Sequence, residues 1–207
     1  MAESLTAPAR AGIAGLILAG GQGTRMNHRD KGLVLFRGEP MVAHVARRLA
    51  PQVGRLVISA NRHAALYARY GQVVADGEPE LGAWQGPLLG IAAGLSEVAS
   101  EAWLVVAPCD TPFLPPDLAV RLIGAAESAD APLAYAMSGG QRHSACMALR
   151  TSLLPALLGY LRGGDRKVGL WQARMGGAEA RFDDAPGAFV NLNTPEELAA
   201  AERYASQ

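Results

Sequence analysis

The sequence predicts a three-layer α/β/α fold built on a mostly parallel sheet, and three observations point to it. Ile13 to Ala19 is a continuous apolar run of strand length, as expected for a central parallel strand buried on both faces. Further apolar runs of that length alternate along the chain with segments of helical period, the pattern of βαβ units. Three of these runs stop at a glycine loop or an aspartate. That puts ligand-type residues at the carboxyl ends of the strands, where open parallel sheets form their crevice.

The elements follow in order. The first strand ends in Gly20-Gly21-Gln22-Gly23. Val34 to Phe36 is predicted to be extended and is turned by Arg37-Gly38-Glu39. Pro40 suits a first helical position, and Met41, Val45 and Leu49 form a helical stripe that ends at Pro51. Arg55 to Ala60 reads as a second buried strand and Arg62 to Tyr70 as a short helix. Gln72 to Ala75 is a third strand, ending at Asp76 and a loop through Gln85. Pro87 to Val98 is a helix, and Trp103 to Ala107 is a fourth strand that ends in Pro108-Cys109-Asp110. Pro116 to Ser128 is the next helix and Pro132 to Met137 the next strand. Gly139-Gly140 turns the chain so that Ser144 to Leu149 returns beside it. Leu153 to Leu161 is helical, Gly163-Gly164 breaks it, and Lys167 to Met175 resumes. Ala178 to Asp183 and Ala188 to Val190 read as extended. Thr194 caps the last helix, with Pro195 at its first position and Glu197 completing a capping box. The sheet is therefore expected to be Rossmann-like. No linker divides the chain, so 1–207 is read as one domain, with 1–11 as a flexible leader.

Composition narrows the function. Half of the 207 residues are hydrophobic and 18% are charged, a globular balance rather than a disordered one. A formal net charge of zero gives no basic field for nucleic acid or an anionic membrane. Cys109 and Cys146 are the only cysteines, too few for a disulfide framework. With no secretory signal, a cytoplasmic protein is expected. No apolar run reaches the roughly 20 residues of a membrane span. The four histidines show no metal-ligand spacing.

Candidate site residues gather at the strand ends. Three glycines after the first strand let the backbone approach a ligand and turn its amides inward as an anion nest. Neither a Walker A loop nor the dinucleotide fingerprint fits the stretch, since Met26 stands where the fingerprint needs a third small residue. Plainly read, it is a strand and a glycine turn. More sharply read, it is a nucleoside triphosphate loop with Arg25 and Lys31 as its cations. The chain holds 17 arginines and two lysines, so a lysine beside the glycine loop suggests a compact point charge for phosphate.

Asp110 follows a buried strand and a proline, which holds its carboxylate where a hard cation could bridge it to substrate phosphates. Otherwise it is a cap for the TPFLPPD segment. Asp76 is a weaker acid candidate, since a strand-end Asp also caps turns. Cys109 reads as a small buried hydrophobe. Gly86, Pro87 and Gly90 open a helix whose free amides could bind an anion. Asn191 and Asn193 alternate on an extended piece and so face one side, with donors and acceptors for a heterocycle or phosphate. Arg142-His143 and the Arg162–Lys167 cluster read as solvated surface.

LAGGQGTRM followed by DKGL resembles the signature of the nucleotidyltransferase superfamily, in particular the molybdenum cofactor guanylyltransferases. GPLLG, PCDTPFLPPDL and NLNTPEEL occur in that family's order and extend the resemblance from about Ile13 to Tyr204. The resemblance implies a fold of nucleotide-diphospho-sugar transferase type. It implies GTP contacts at Leu18, Ala19, Gly20, Gly21, Lys31, Asp76 and Asp110, with Mg²⁺ on Asp110. It places Gly86, Pro87, Gly90, Asn191 and Asn193 on the pterin side. The family often has Asn at the position of Ser59. Here Asn61 comes two residues later, so either Ser59 or Asn61 takes that contact.

The expected reaction is Mg²⁺-dependent transfer of GMP from GTP to a molybdopterin-type cofactor, with Arg25, Lys31 and Asp110 as catalytic residues. The expected protein is a monomer that meets cofactor-donor or acceptor proteins transiently. Two alternatives are a cytidylyltransferase acting on the same pterin or a sugar phosphate, and a carrier that holds the cofactor without turnover.

Overall fold

The structure, a computed structural model, describes residues 10–20, 30–75 and 86–204. Its seven-stranded sheet contains β1 (Ile13–Leu18), β4 (Arg55–Ser59), β5 (Gln72–Val74), β6 (Trp103–Pro108), β7 (Leu133–Ser138), β8 (Gln141–Arg150) and β9 (Ala178–Arg181). Their order is β5-β4-β1-β6-β8-β7-β9. All pairings are parallel except those of β8, which runs antiparallel to both β6 and β7. A separate hairpin pairs β2 (Leu35–Phe36) with β3 (Glu39–Pro40).

Alternation along the strands makes two cores. Ile13 and Ile17 of β1, with Trp103, Val105 and Ala107 of β6, join Val42, Val45 and Leu49 of helix α1 (Met41–Leu49) on one face. Helix α4 (Leu118–Ser128) completes that layer through Leu118, Leu122 and Ala126. On the other face, Ala14, Leu16, Leu104 and Val106 pack against helices α3 (Pro87–Glu97), α5 (Leu154–Arg162) and α6 (Val168–Arg174). A period of two in the strands and 3.6 in the helices produces this sandwich. The buried Gln52 ties the layers to the loop beyond Asp110: its amide donates to Pro115 O at 2.9 Å, and its carbonyl accepts from Ala119 N at 2.9 Å.

Several boundaries differ from the sequence expectation for physical reasons. Only Tyr67 of the Arg62–Tyr70 stretch is fully buried, and the helix there shrinks to α2 (Ala64–Tyr67) behind His63 at φ +54°. Gln141 begins β8 three residues before Ser144, because Gly139 and Gly140 take φ of +56° and +74° and close a two-residue hairpin. A bulge between Tyr135 and Ala136 absorbs the extra length. Ala188–Val190 is not extended: Ala188 N donates to Ala185 O, so the chain turns around Pro186-Gly187 instead. Arg142 is not a solvated surface residue, since its guanidinium lies 3.6 Å from the Tyr135 ring centre and donates to Gln172 at 3.0 Å. His143 stacks on Phe189, and burial holds its imidazole below its usual range. The capping box forms as expected at the start of α7 (Pro195–Tyr204), with Glu197 N donating to Thr194 Oγ1 at 3.1 Å.

Close approach of α3 to the sheet depends on glycine. A Cβ at Gly94 would stand 2.6 Å from Leu16 Cδ2, inside the core. Gly94→Ala is therefore expected to destabilise the fold by about 1–3 kcal/mol through overpacking. Gly124 lies in α4 with nothing within 4 Å of its would-be Cβ. Gly124→Ala should stabilise by about 0.5–1 kcal/mol, because alanine loses less backbone freedom in a helix. Denaturant midpoints moving in opposite directions would bear out both; a neutral or stabilising Gly94→Ala would contradict the packing.

Candidate active site

Strands β4 and β5 leave β1 on one side and β6 leaves it on the other, so the strand order reverses at β1. A crevice opens at such a switch point, at the carboxyl ends of the strands. The pairing of β1 with β6 continues past the strand end, with Cys109 N donating to Leu18 O at 3.1 Å. On the other flank Ala19 N donates to Ser59 O at 2.8 Å. These two bonds hold Leu18 and Ala19 in the sheet, so Gly20 and Asp110 each follow directly on a paired residue at the carboxyl ends of the strands.

Asp110 is only 8% exposed. Its Oδ2 lies 3.3 Å from Lys31 Nζ, while its Oδ1 is buried and has no hydrogen-bond partner among the described residues. An unpaired buried carboxylate oxygen is costly. Lys31 Nζ also donates to Asn193 Oδ1 at 2.5 Å. The ammonium therefore joins the end of β6 to the segment before α7. Leu192 N donates to Asp110 O at 3.0 Å, which draws that segment against the strand end. Leu192 turns into the small core with Phe36 and Met41, while Asn191 is exposed and Asn193 half-buried.

The DKGL stretch makes sense residue by residue. Asp30 accepts a short hydrogen bond from the Tyr67 hydroxyl. Gly32 lies against the same ring, where a Cβ would come within 3.0 Å of Tyr67 Cε1. Asp30 and Gly32 thus anchor on Tyr67, and Lys31 between them points to Asp110. Burial, with Cys109 and Asp30 nearby, pushes the Tyr67 hydroxyl well above its usual range, so it stays a donor. Tyr67 was not among the expected site residues; its only sequence signal is an aromatic in a short helix otherwise lacking large inward residues. Burial also pushes the Cys109 and Cys146 thiols up, more than any neighbouring charge does, so neither supplies a thiolate.

A second group forms around the end of β4. Ser59 is 1% exposed, and a Cβ at Gly90 would sit 2.5 Å from its Oγ. Gly90 therefore meets Ser59 and Leu18 by close packing of α3 on the sheet. A Cβ at Gly20 would lie 3.4 Å from Asn61 Nδ2 and 3.8 Å from Ser59 Oγ, so both candidates for that contact flank the glycine. Gly86, at φ +87°, and Pro87 stand exposed at the start of α3. Gly21, Arg25 and Asp76 lie outside the described residues. Among the described residues, no cluster of three or more His, Cys, Asp or Glu side chains could hold a metal, and no helix is long and apolar enough to cross a membrane.

Residues 15–176 match the model of the MobA-like NTP transferase domain. A molybdenum cofactor guanylyltransferase from Cupriavidus taiwanensis is 46% identical over 201 residues, spanning 94% of this chain and 98% of the relative. One from Burkholderia orbicola is 45% identical over 210 residues, spanning 96% of this chain and 100% of the relative. Among solved structures, molybdopterin-guanine dinucleotide biosynthesis protein A from Archaeoglobus fulgidus superposes with a TM-score of 0.77 over 93% of this chain and 98% of its own, at 24% identity, and supports the fold. This chain belongs to the MobA-like NTP transferase family.

Proposed function

We propose that this protein is a molybdenum cofactor guanylyltransferase, which transfers GMP from GTP to a molybdopterin-type cofactor and yields the guanine dinucleotide cofactor and pyrophosphate. The observation that carries the chemistry is the Lys31 ammonium, in contact with Asp110 on the donor side and Asn193 on the acceptor side. The choice of guanine follows the guanylyltransferase relatives.

The acceptor's terminal phosphate is already a nucleophile. One of its oxygens forms a bond to the α-phosphorus of GTP while the bond to the leaving pyrophosphate breaks. No general base is needed, so the chain's contribution is positioning and charge neutralisation. Lys31 supplies a point charge where negative charge gathers, and Asn193 fixes its direction. The Gly20 and Gly21 amides, Arg25, Asp76 and one of Ser59 or Asn61 belong to the donor side in this reading. Gly86, Pro87 and Asn191 belong to the pterin side, with Gly90 holding the helix against the sheet.

Asp110 fits a Mg²⁺ ion: its orphaned Oδ1 is an acceptor without a protein partner, and Mg²⁺ commonly takes one or two carboxylates plus substrate phosphates. Bound there, the ion would supply charge neutralisation for the reacting phosphates. The same proposal describes a cytoplasmic monomer that meets its cofactor donors and acceptors transiently.

Three outcomes test it. GTP should raise the melting temperature far more than CTP. At 100 times its dissociation constant a ligand stabilises by about 2.7 kcal/mol, and equal stabilisation by CTP would remove the guanylyl assignment. Asp110→Asn keeps shape and hydrogen bonding but removes the charge. Pyrophosphate release should fall by roughly 10²- to 10³-fold with the melting temperature nearly unchanged. Full activity would leave Asp110 a turn cap, where Asn and Asp are comparable. Lys31→Ala should cost a similar factor in turnover and also about 1–2 kcal/mol of stability, because it strands a buried carboxylate. Adding Asp110→Asn should recover most of that stability, and denaturant unfolding of the single and double variants decides it.

A further inference from the structure

The start of α7 makes one hydrogen bond more than a capping box requires. In that motif the cap and third-position residues satisfy each other's backbone amides. Glu197 Oε2 does accept from Thr194 N at 3.1 Å, and Thr194 Oγ1 accepts from Glu197 N at 3.1 Å. The same Glu197 oxygen also accepts from Asn193 N, at 2.6 Å. That additional, shorter bond falls on the residue whose carboxamide oxygen holds Lys31 Nζ at 2.5 Å. A continuous path thus runs from Glu197 through Asn193 and Lys31 to Asp110.

Each link constrains the next. Leu192 is fixed by its bond to Asp110 O and by its burial, so Glu197 pins the residue immediately after an anchored one. Lys31 ends a flexible four-carbon stem, and its ammonium is aimed only by its neighbours. With Asn193 in place it stands between carboxamide and carboxylate. With Asn193 released, the one strong attraction left to it among these contacts is Asp110, and the charge moves away from where the reacting phosphates gather.

We propose that Glu197 is a positioning residue for nucleotidyl transfer, acting through Asn193 to hold the Lys31 ammonium between donor and acceptor. The inference rests on the function proposed above. Glu197 is exposed and at this distance acts only through its neighbours.

The test compares Glu197→Ala, Glu197→Gln, Thr194→Ala, Lys31→Ala and the double variant Lys31→Ala/Glu197→Ala in the full chain. Pyrophosphate release, GTP affinity by calorimetry and melting temperature are measured for each. Thr194→Ala breaks the cap but leaves the bond from Asn193 N to Glu197 available, so it controls for a purely structural role. Glu197→Ala is expected to lower kcat by roughly 10- to 100-fold, as expected for misplacement of a charged group by about 1 Å. Glu197→Gln keeps an acceptor oxygen and should recover to within about threefold. Thr194→Ala should lower the melting temperature about as much as Glu197→Ala while holding kcat within about threefold. In the Lys31→Ala background, Glu197→Ala should cost nothing further in rate or affinity. Equal kcat losses in Thr194→Ala and Glu197→Ala would overturn the proposal, as would a Glu197→Ala effect that persists in full without Lys31. If Glu197→Ala fails to fold, Glu197→Asp, one methylene short, takes its place under the same criteria. A wild-type protein that does not turn over GTP would instead defeat the functional reading. The coupling between Glu197 and Lys31 would then be read on affinity for whichever nucleotide binds.

Discussion

One lysine charge at the mouth of the sheet sets the arrangement of everything around it. Asp110 is a carboxylate 8% exposed at the end of a strand, a placement that is unfavourable for a lone charge. Lys31, at 3.3 Å, makes it tolerable, and the sheet order makes the meeting possible by placing β1 between β4 and β6. Because Cys109 N still pairs with Leu18 O, the β6 backbone has no freedom before Asp110. The lysine reaches it from a 3₁₀ turn at Lys31–Leu33, which Asp30 and Gly32 hold on Tyr67. Removing any of these supports changes where the Lys31 charge stands relative to Asp110.

Among the described residues, the surroundings are consistent with phosphate chemistry and offer no activated protein nucleophile. Both thiols near the site are buried and pushed up in pKa, and the tyrosine hydroxyl is committed to Asp30. The groups left to act among the described residues are a cation, a carboxylate, carboxamides and backbone amides. Such a set can orient and neutralise a reaction between two phosphates, whose nucleophile arrives with the substrate.

Much of this was legible in the sequence, because strand and helix periodicity survive where segments are long and buried. Every central strand and every long helix lies within a few residues of its expected place. The antiparallel insertion of β8 between β6 and β7 was not legible, since pairing partners are set by long-range contacts and apolar pattern alone does not order strands. Ala188–Val190 looked extended because it is an apolar run, yet Pro186-Gly187 turns the chain there, with Ala188 and Phe189 buried and Val190 exposed. Lys31 stood out by the scarcity of lysine and its place after the glycine loop, and Asp110 by its type at a strand end. Tyr67 did not, because an aromatic in a short helix carries no period. Arg142 looked like surface because a cation over an aromatic ring requires knowing which strands are neighbours.

The two sides of the site are built with different rigidity. Lys31 and Asp110 are fixed from within the large core, through Tyr67 and through the β1–β6 pairing. Asn193 comes after the last strand of the sheet, and two bonds, from Leu192 N to Asp110 O and from Asn193 N to Glu197, hold it between core and helix. Local opening is cheapest where few buried contacts resist it. Lys31 and Asp110 are therefore the firmly held pair among the described residues, while Asn193 is only as ordered as the first turn of α7. Because Lys31 touches both, whatever orders Asn193 also steadies the ammonium beside Asp110. That ammonium is thus the link between the order of the strand end and that of the segment before α7.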